Sequence, residues 1–205
     1  MPVKTKPVTK KQIREVADSY QPMFSDWKFI GGQAYVRMSG PVLQSVSFEA
    51  LRSGGYRPSS AIEILVAPSV VLLHQFLDIQ HRETLLRDHE NRRTHVRDAM
   101  QQQFEPSIVQ PLNAEEVFRK CEASATERIS DACGVAALAG YLGKQSLALS
   151  WCDKGEAAVS SLGRDPADWE MKLLTFTRSL KEAIASGNER QLLDAELRKN
   201  IERFQ

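Results

Sequence analysis

All four histidines of the chain, His74, His81, His89 and His95, fall within 22 residues, a local concentration of side chains able to bind metal or move protons. One helix holds one ion only through ligands three or four residues apart, because only those side chains converge on a point. Here the intervals are seven, eight and six. His74 and His81 would share a helix face but stand about 10 Å apart along it, too far for a single metal. Asp78, four after His74, and Asp98, three after His95, could each complete a pair. Solvated or hydrogen-bonded imidazoles on a polar helix explain the same spacing with fewer assumptions. No phosphate-holding G-x-x-x-x-G-K-[ST], no G-x-S-x-G elbow, no H-E-x-x-H and no G-x-G-x-x-G after a strand occurs. The reading is therefore no metal, no cofactor and no catalytic set.

One alternative stays open. Arg82-x-x-x-x-x-x-His89 resembles the arginine-to-histidine spacing of the helical ribonuclease superfamily of prokaryotic defence systems. That resemblance implies a nucleic-acid-directed hydrolase, with His89 transferring a proton at the ribose hydroxyl and Arg82 stabilising charge on the phosphate. Glu83 departs from the pattern, which has an amide or similar polar residue after the arginine.

For a binding face, the sequence offers Tyr35, Arg37 and Glu49 on strands, with Arg37 and Glu49 expected to pair across a hairpin, and Arg92 and Arg93 on a charged helix back. Between Lys4 and Arg14 lie five cations, Lys4, Lys6, Lys10, Lys11 and Arg14, and no acid. Such an arm can touch the phosphates of a nucleic acid, although a solvated tail is the plainer reading.

Periodicity supplies the elements that must position these groups. Thr9-x-x-Gln12 is a capping box, and Ile13, Val16, Ala17 and Tyr20 follow at helical spacing. The period then falls to two: Ala34, Val36 and Met38 alternate with Tyr35 and Arg37, and Val46 and Phe48 alternate with Ser45, Ser47 and Glu49. A third run places Ile62, Ile64 and Val66 inward, after turn-rich residues 53–58. Short connections and one polar face predict an antiparallel meander of three or four strands, covered by the first helix. Residues 70–79 suit either a strand or a helix. From His81 to Phe104 there is neither Gly nor Pro, which predicts one helix carrying Leu85, Val96, Met100 and Phe104 on a stripe.

Beyond the Pro106–Pro111 linker the pattern is helical. Asn113-x-x-Glu116 caps a helix expected to run past Ile129 towards Leu138. Further helices carry Leu147 and Trp151, then Trp169, Phe176 and Leu180, then Leu193 and Leu197, with the aromatics expected in the core. The fold class is α+β: residues 1–105 form a helix-plus-meander module, and residues 112–205 a helical-hairpin bundle.

Across 205 residues the net charge is +1, with 42% hydrophobic and 26% charged side chains. Near neutrality argues against a nucleic-acid coat over the whole surface, and no apolar run of 18 residues exists to span a membrane. Three cysteines, Cys121, Cys133 and Cys152, are odd in number and lack C-x-x-C spacing, so buried thiols are expected. The first residues have no apolar stretch of a secretory signal, which makes the cytoplasm the expected compartment.

Two resemblances add to this. Gly143-x-x-x-x-Ala148-x-x-x-Cys152-x-x-Gly155, with Ala136 on the preceding helix, resembles the turn and second helix of a tetratricopeptide unit over roughly 34 residues. It implies a protein-binding scaffold without catalytic residues. Trp27, Phe29, Gly31-Gly32, Tyr35-Val36-Arg37 and Val46-Ser47-Phe48 make residues 10 to 67 similar to a family of uncharacterised bacterial α+β domains. That family implies the company of toxin-immunity and defence proteins. Together they lead to a cytoplasmic, non-catalytic protein-interaction module, an immunity, adaptor or accessory subunit.

Overall fold

The computed structural model describes residues 7–68 and 70–204. An N-terminal helix, an antiparallel sheet and a bundle of helices follow one another, giving a mixed α+β protein. Helix α1 (Lys10–Ser19) and a 3-10 turn (Gln21–Phe24) lead into β1 (Lys28–Ile30), β2 (Ala34–Ser39), β3 (Val42–Ala50), β4 (Gly55–Ile64) and β5 (Val70–Phe76). These strands lie side by side in chain order, and β6 (Thr84–Leu85) pairs antiparallel with the start of β4, Gly55 opposite Leu85 and Tyr56 opposite Thr84. Then come α2 (His89–Gln103), α3 (Ala114–Ser124), α4 (Ile129–Tyr141), α5 (Gln145–Ser160), α6 (Asp168–Ser186) and α7 (Glu189–Glu202). Among the described residues no helix is long and apolar enough to cross a membrane.

The capping box at Thr9 and Gln12 forms as the spacing predicts, with both reciprocal hydrogen bonds present. The sheet exceeds the expected three or four strands because β1 and β6 hold three and two residues, too few to display alternation. Residues 70–76 resolve as a strand.

The helix expected from His81 begins only at His89. His81 is instead tied into a turn, its backbone N–H and Nδ1 both meeting Asp78 Oδ1, at 3.1 and 2.7 Å. Thr84 and Leu85 are taken by β4, where Gly55 is required: a Cβ there would stand 2.5 Å from the Thr84 carbonyl oxygen. The expected continuous helix from Asn113 is likewise two helices. Asp131 accepts from the Thr126 N–H at 2.9 Å and from its hydroxyl at 2.6 Å, holding residues 125–128 out of helical geometry.

Contacts divide the chain into two units that share the long strands. One unit gathers residues up to Met38 with Gln44–Ala61 and His74–Leu112; the other gathers Ser39–Leu43, Ile62–Leu73 and residues from Asn113 onward. In the first, Ile13, Val16 and Ala17 of α1 enter a core with Tyr35, Val46, Phe48, Tyr56, Val96 and Met100. Tyr20 stacks on Phe48 at 5.1 Å and Phe24 on Tyr35 at 4.5 Å. Each large aliphatic so buried stabilises by about 1.5–3 kcal/mol. In the second unit, α4 is buried along most of its length by Ala and Gly positions that admit close helices. The side-chain amide of Asn200 on α7 donates to the Leu65 and Ala67 carbonyls at 2.8 and 3.0 Å, satisfying buried acceptors beyond the end of β4.

Candidate interaction cleft in the helical unit

The sequence-predicted residues take places that their polarity did not reveal. Tyr35 is buried on the face that α1 covers, its hydroxyl donating to the Ala17 carbonyl at 3.1 Å. It corrects the expectation of an exposed Tyr35: the aromatic side of β2, not the aliphatic one, faces the helix. Arg37 shares that side and is consumed structurally. Its guanidinium donates to Gln44 Oε1 at 2.7 and 3.0 Å, to the Ser107 carbonyl at 2.6 Å and to the Gln110 carbonyl at 2.7 Å, while lying 4.6 Å over the Trp27 ring. Gln44 in turn donates to the Pro106 carbonyl at 2.6 Å. Glu49 pairs with Arg57 at 2.6 Å, not with Arg37 as expected, and Arg57 lies 4.1 Å over Phe76.

Arg92 is spent on the Gln80 and Glu83 carbonyls. Arg93, 3.8 Å from Glu90, lines a recess of about 260 Å³ with Ser19, Tyr20 and Arg97. Arg82 lies in a connection, 5.0 Å over Phe76. His89 is 8% exposed, with Ser19 Oγ 3.0 Å from Nε2 and the Tyr56 hydroxyl 2.9 Å from Nδ1. Ser19 gives its own hydrogen to the Val16 carbonyl at 2.6 Å, so it accepts from Nε2. Nδ1 is then an acceptor, filled by Tyr56, whose oxygen accepts from Tyr20 at 2.9 Å. With the imidazole neutral, each donor along this chain has an acceptor. Burial pushes the His89 pKa down, with smaller opposed effects from Glu90 and Arg93. Lys10, Lys11 and Arg14 lie on α1; Lys4 and Lys6 fall outside the described residues.

The second unit opens between α6 and α7, in a cleft of about 420 Å³ lined by Ser179, Asn188 and Leu192, and more widely around residues 125–130. Residues 125–130, the last two turns of α5 and the start of α6 enclose two adjoining clefts of about 450 and 620 Å³, both lined by Glu127, Ala158 and Ser161. Clefts of that size accept a small ligand or a few side chains of a peptide. Trp151 forms part of the first, and Trp169, 55% exposed, borders the second. The sequence assigned both tryptophans to the core. That holds for Trp151, 7% exposed, whereas Trp169 stands in the first turn of α6 with its ring outside.

Local chemistry fixes these walls. Glu170 accepts the Ala167 N–H at 2.7 Å and a two-pronged bond from Arg164, 2.8 Å on each oxygen, which anchors the start of α6 beneath Trp169. The Arg164 hydrogen bonds hold the Glu170 carboxyl below the usual carboxylate range. Gly155 lets α5 approach α4: a Cβ there would meet Ile129 Cδ1 at 3.2 Å.

No protein-family model, curated protein or solved structure matches the chain. Function must therefore be argued from the cleft itself. Its floor is apolar, and its free charges are Lys154, Arg128 and Glu127, none of them ion-paired among the described residues. Lys154 Nζ lies 3.6 Å from the Trp151 ring centroid, so the ammonium is held over the cleft by the ring. Two cations against one carboxylate favour an apolar side chain flanked by acid. Sequence reasoning missed this place because a tryptophan at helical spacing ordinarily means core, whereas Trp169 lies in the first turn of α6.

Proposed function

We propose that this chain is a non-catalytic protein-interaction module that binds a short acidic-apolar segment of a partner protein in the cleft between residues 125–130, α5 and α6. The observation that carries the reading is Trp169: a large aromatic more than half exposed, on a helix start locked by Arg164 and Glu170, while a second tryptophan, Trp151, lines the adjoining cleft under an unpaired lysine. Rigid aromatic rings presented beside a positive charge are what interface anchors consist of. An adaptor, immunity or accessory role extends this reading and rests on the resemblance of residues 10 to 67. Hydrolysis by Arg82 and His89 draws no comparable support, since His89 points its Nε2 hydrogen at Ser19 and is shut behind two tyrosines.

Selection from a displayed random-peptide library tests the proposal. Enriched peptides are expected to carry an aromatic or large aliphatic residue next to Asp or Glu. Trp169→Ala and Lys154→Glu are expected to lose at least about tenfold in affinity for them, or about 1.4 kcal/mol. Enrichment of peptides that bind both variants as well as the parent would overturn it, as would failure to enrich any.

A further inference from the structure

Independent of that cleft, the first unit carries a basic recess of about 580 Å³ between the start of α1 and the β1–β2 turn. Lys10, Lys11 and Arg14 line it together with Gly31, Gly32 and Gln33, and no carboxylate does. Lys10 has no ion pair among the described residues. Lys11 and Arg14 reach Glu15 and Asp18 only at 3.9 and 4.0 Å, on side chains 57–88% exposed, so an incoming anion competes easily for both.

Two further features point the same way. The first turn of α1 contains no acid and two lysines, although the helix dipole favours negative charge there. Cations kept at that end oppose the helix unless an anion joins them. Opposite, Gly31 and Gly32 adopt φ of 59° and 72°, and the turn closes through Gln33 N–H to the Ile30 carbonyl at 3.3 Å. The backbone N–H groups of both glycines lack hydrogen-bond partners among the described residues. Nothing lies within 4 Å of where their Cβ atoms would be. Unpartnered backbone donors and three cations lining one recess supply the groups that bind an oxyanion with several oxygens.

We infer that this recess seats the phosphodiester backbone of a nucleic-acid strand. A strand fits better than an isolated phosphate because Lys10, Lys11 and Arg14 line a recess of about 580 Å³, far larger than one phosphate fills. No aromatic residue lines the recess, so binding is through phosphate and indifferent to base.

The test is fluorescence anisotropy of a labelled, mixed-sequence single-stranded RNA titrated with the full chain across a salt series. Three neutralised phosphates give a slope of log affinity against log salt of about −2, at about −0.7 each for single strands. Lys10→Gln/Lys11→Gln/Arg14→Gln is expected to lose tenfold or more in affinity while unfolding at the parent temperature or above it, since the helix dipole is relieved. Arg93→Gln, on α2, is expected to bind as the parent does. No binding at about 50 mM salt, parent-like binding by the triple variant, or capture by phosphatidylserine vesicles that RNA does not displace would each overturn the inference.

Discussion

The hydroxyl of Tyr56 donates to Nδ1 of His89 across 2.9 Å, and that direction is set two hydrogen bonds away, where Ser19 commits its hydrogen to the Val16 carbonyl. Replacing Tyr56 with Phe removes both the donor to His89 and the acceptor of Tyr20 inside the aromatic core. A loss of about 1–3 kcal/mol is expected, since two buried polar atoms go unpaired. Denaturant unfolding of Tyr56→Phe measures it; a midpoint equal to the parent's would contradict the hydrogen-bond chain.

Protonating His89 makes both ring nitrogens donors, which reverses Tyr56 and leaves the Tyr20 hydrogen without an acceptor. Burial sets the folded pKa of His89 below its unfolded value of about 6.5, Glu90 and Arg93 being the charges that face it. The unfolded chain therefore binds more protons in that window. Stability is complete above about pH 6.5 and declines as pH falls from there through the lowered pKa. Denaturation midpoints across this range, compared with those of His89→Gln, are expected to show a steeper acid loss in the parent. Parallel pH profiles would contradict the assignment.

Arg37 ties residues 107–110 to β2, and Gln44 ties Pro106 to β3. Arg37→Ala is expected to cost about 2–3 kcal/mol, because charged hydrogen bonds to carbonyls are lost together. Arg37→Lys is expected to recover little, since one ammonium cannot reproduce the planar fork. Hydrogen exchange over residues 105–112 should quicken in both variants; unchanged exchange would refute the tether.

Gly55→Ala drives a methyl into the Thr84 carbonyl at 2.5 Å, a backbone atom that cannot turn away. Separation of β6 from β4 and a loss of about 3 kcal/mol are expected, read by thermal unfolding and by exchange at Thr84 and Leu85. Parent stability would show that the pairing is dispensable.

Legibility in the sequence followed the length of each regular pattern. Thr9 and Gln12, the alternation of Val46 and Phe48 and the Asn113 cap were readable because each is local and repeats what backbone geometry demands. Thr84 and Leu85 were not, since a two-residue strand exists only through its partner on β4. The break before Ile129 hides in a reach-back from Asp131 to Thr126, which no periodicity encodes. Tyr35 and Trp169 failed in opposite senses. A tyrosine with a polar tip reads as surface yet lies in the core, while a tryptophan at helical spacing reads as core yet stands in solvent. Hydrophobic character fixes neither when an amphipathic ring finds its partner, here the Ala17 carbonyl, through tertiary structure.

Backbone amide chemical shifts of the full chain, recorded while a library-selected acidic-apolar peptide is added, test the central claim most directly. Shifts confined to residues 125–130, the end of α5 from Lys154 and the start of α6 around Trp169 are the predicted result. Shifts centred instead on Glu49 and Arg57, or along α2 at Arg92 and Arg93, would contradict it.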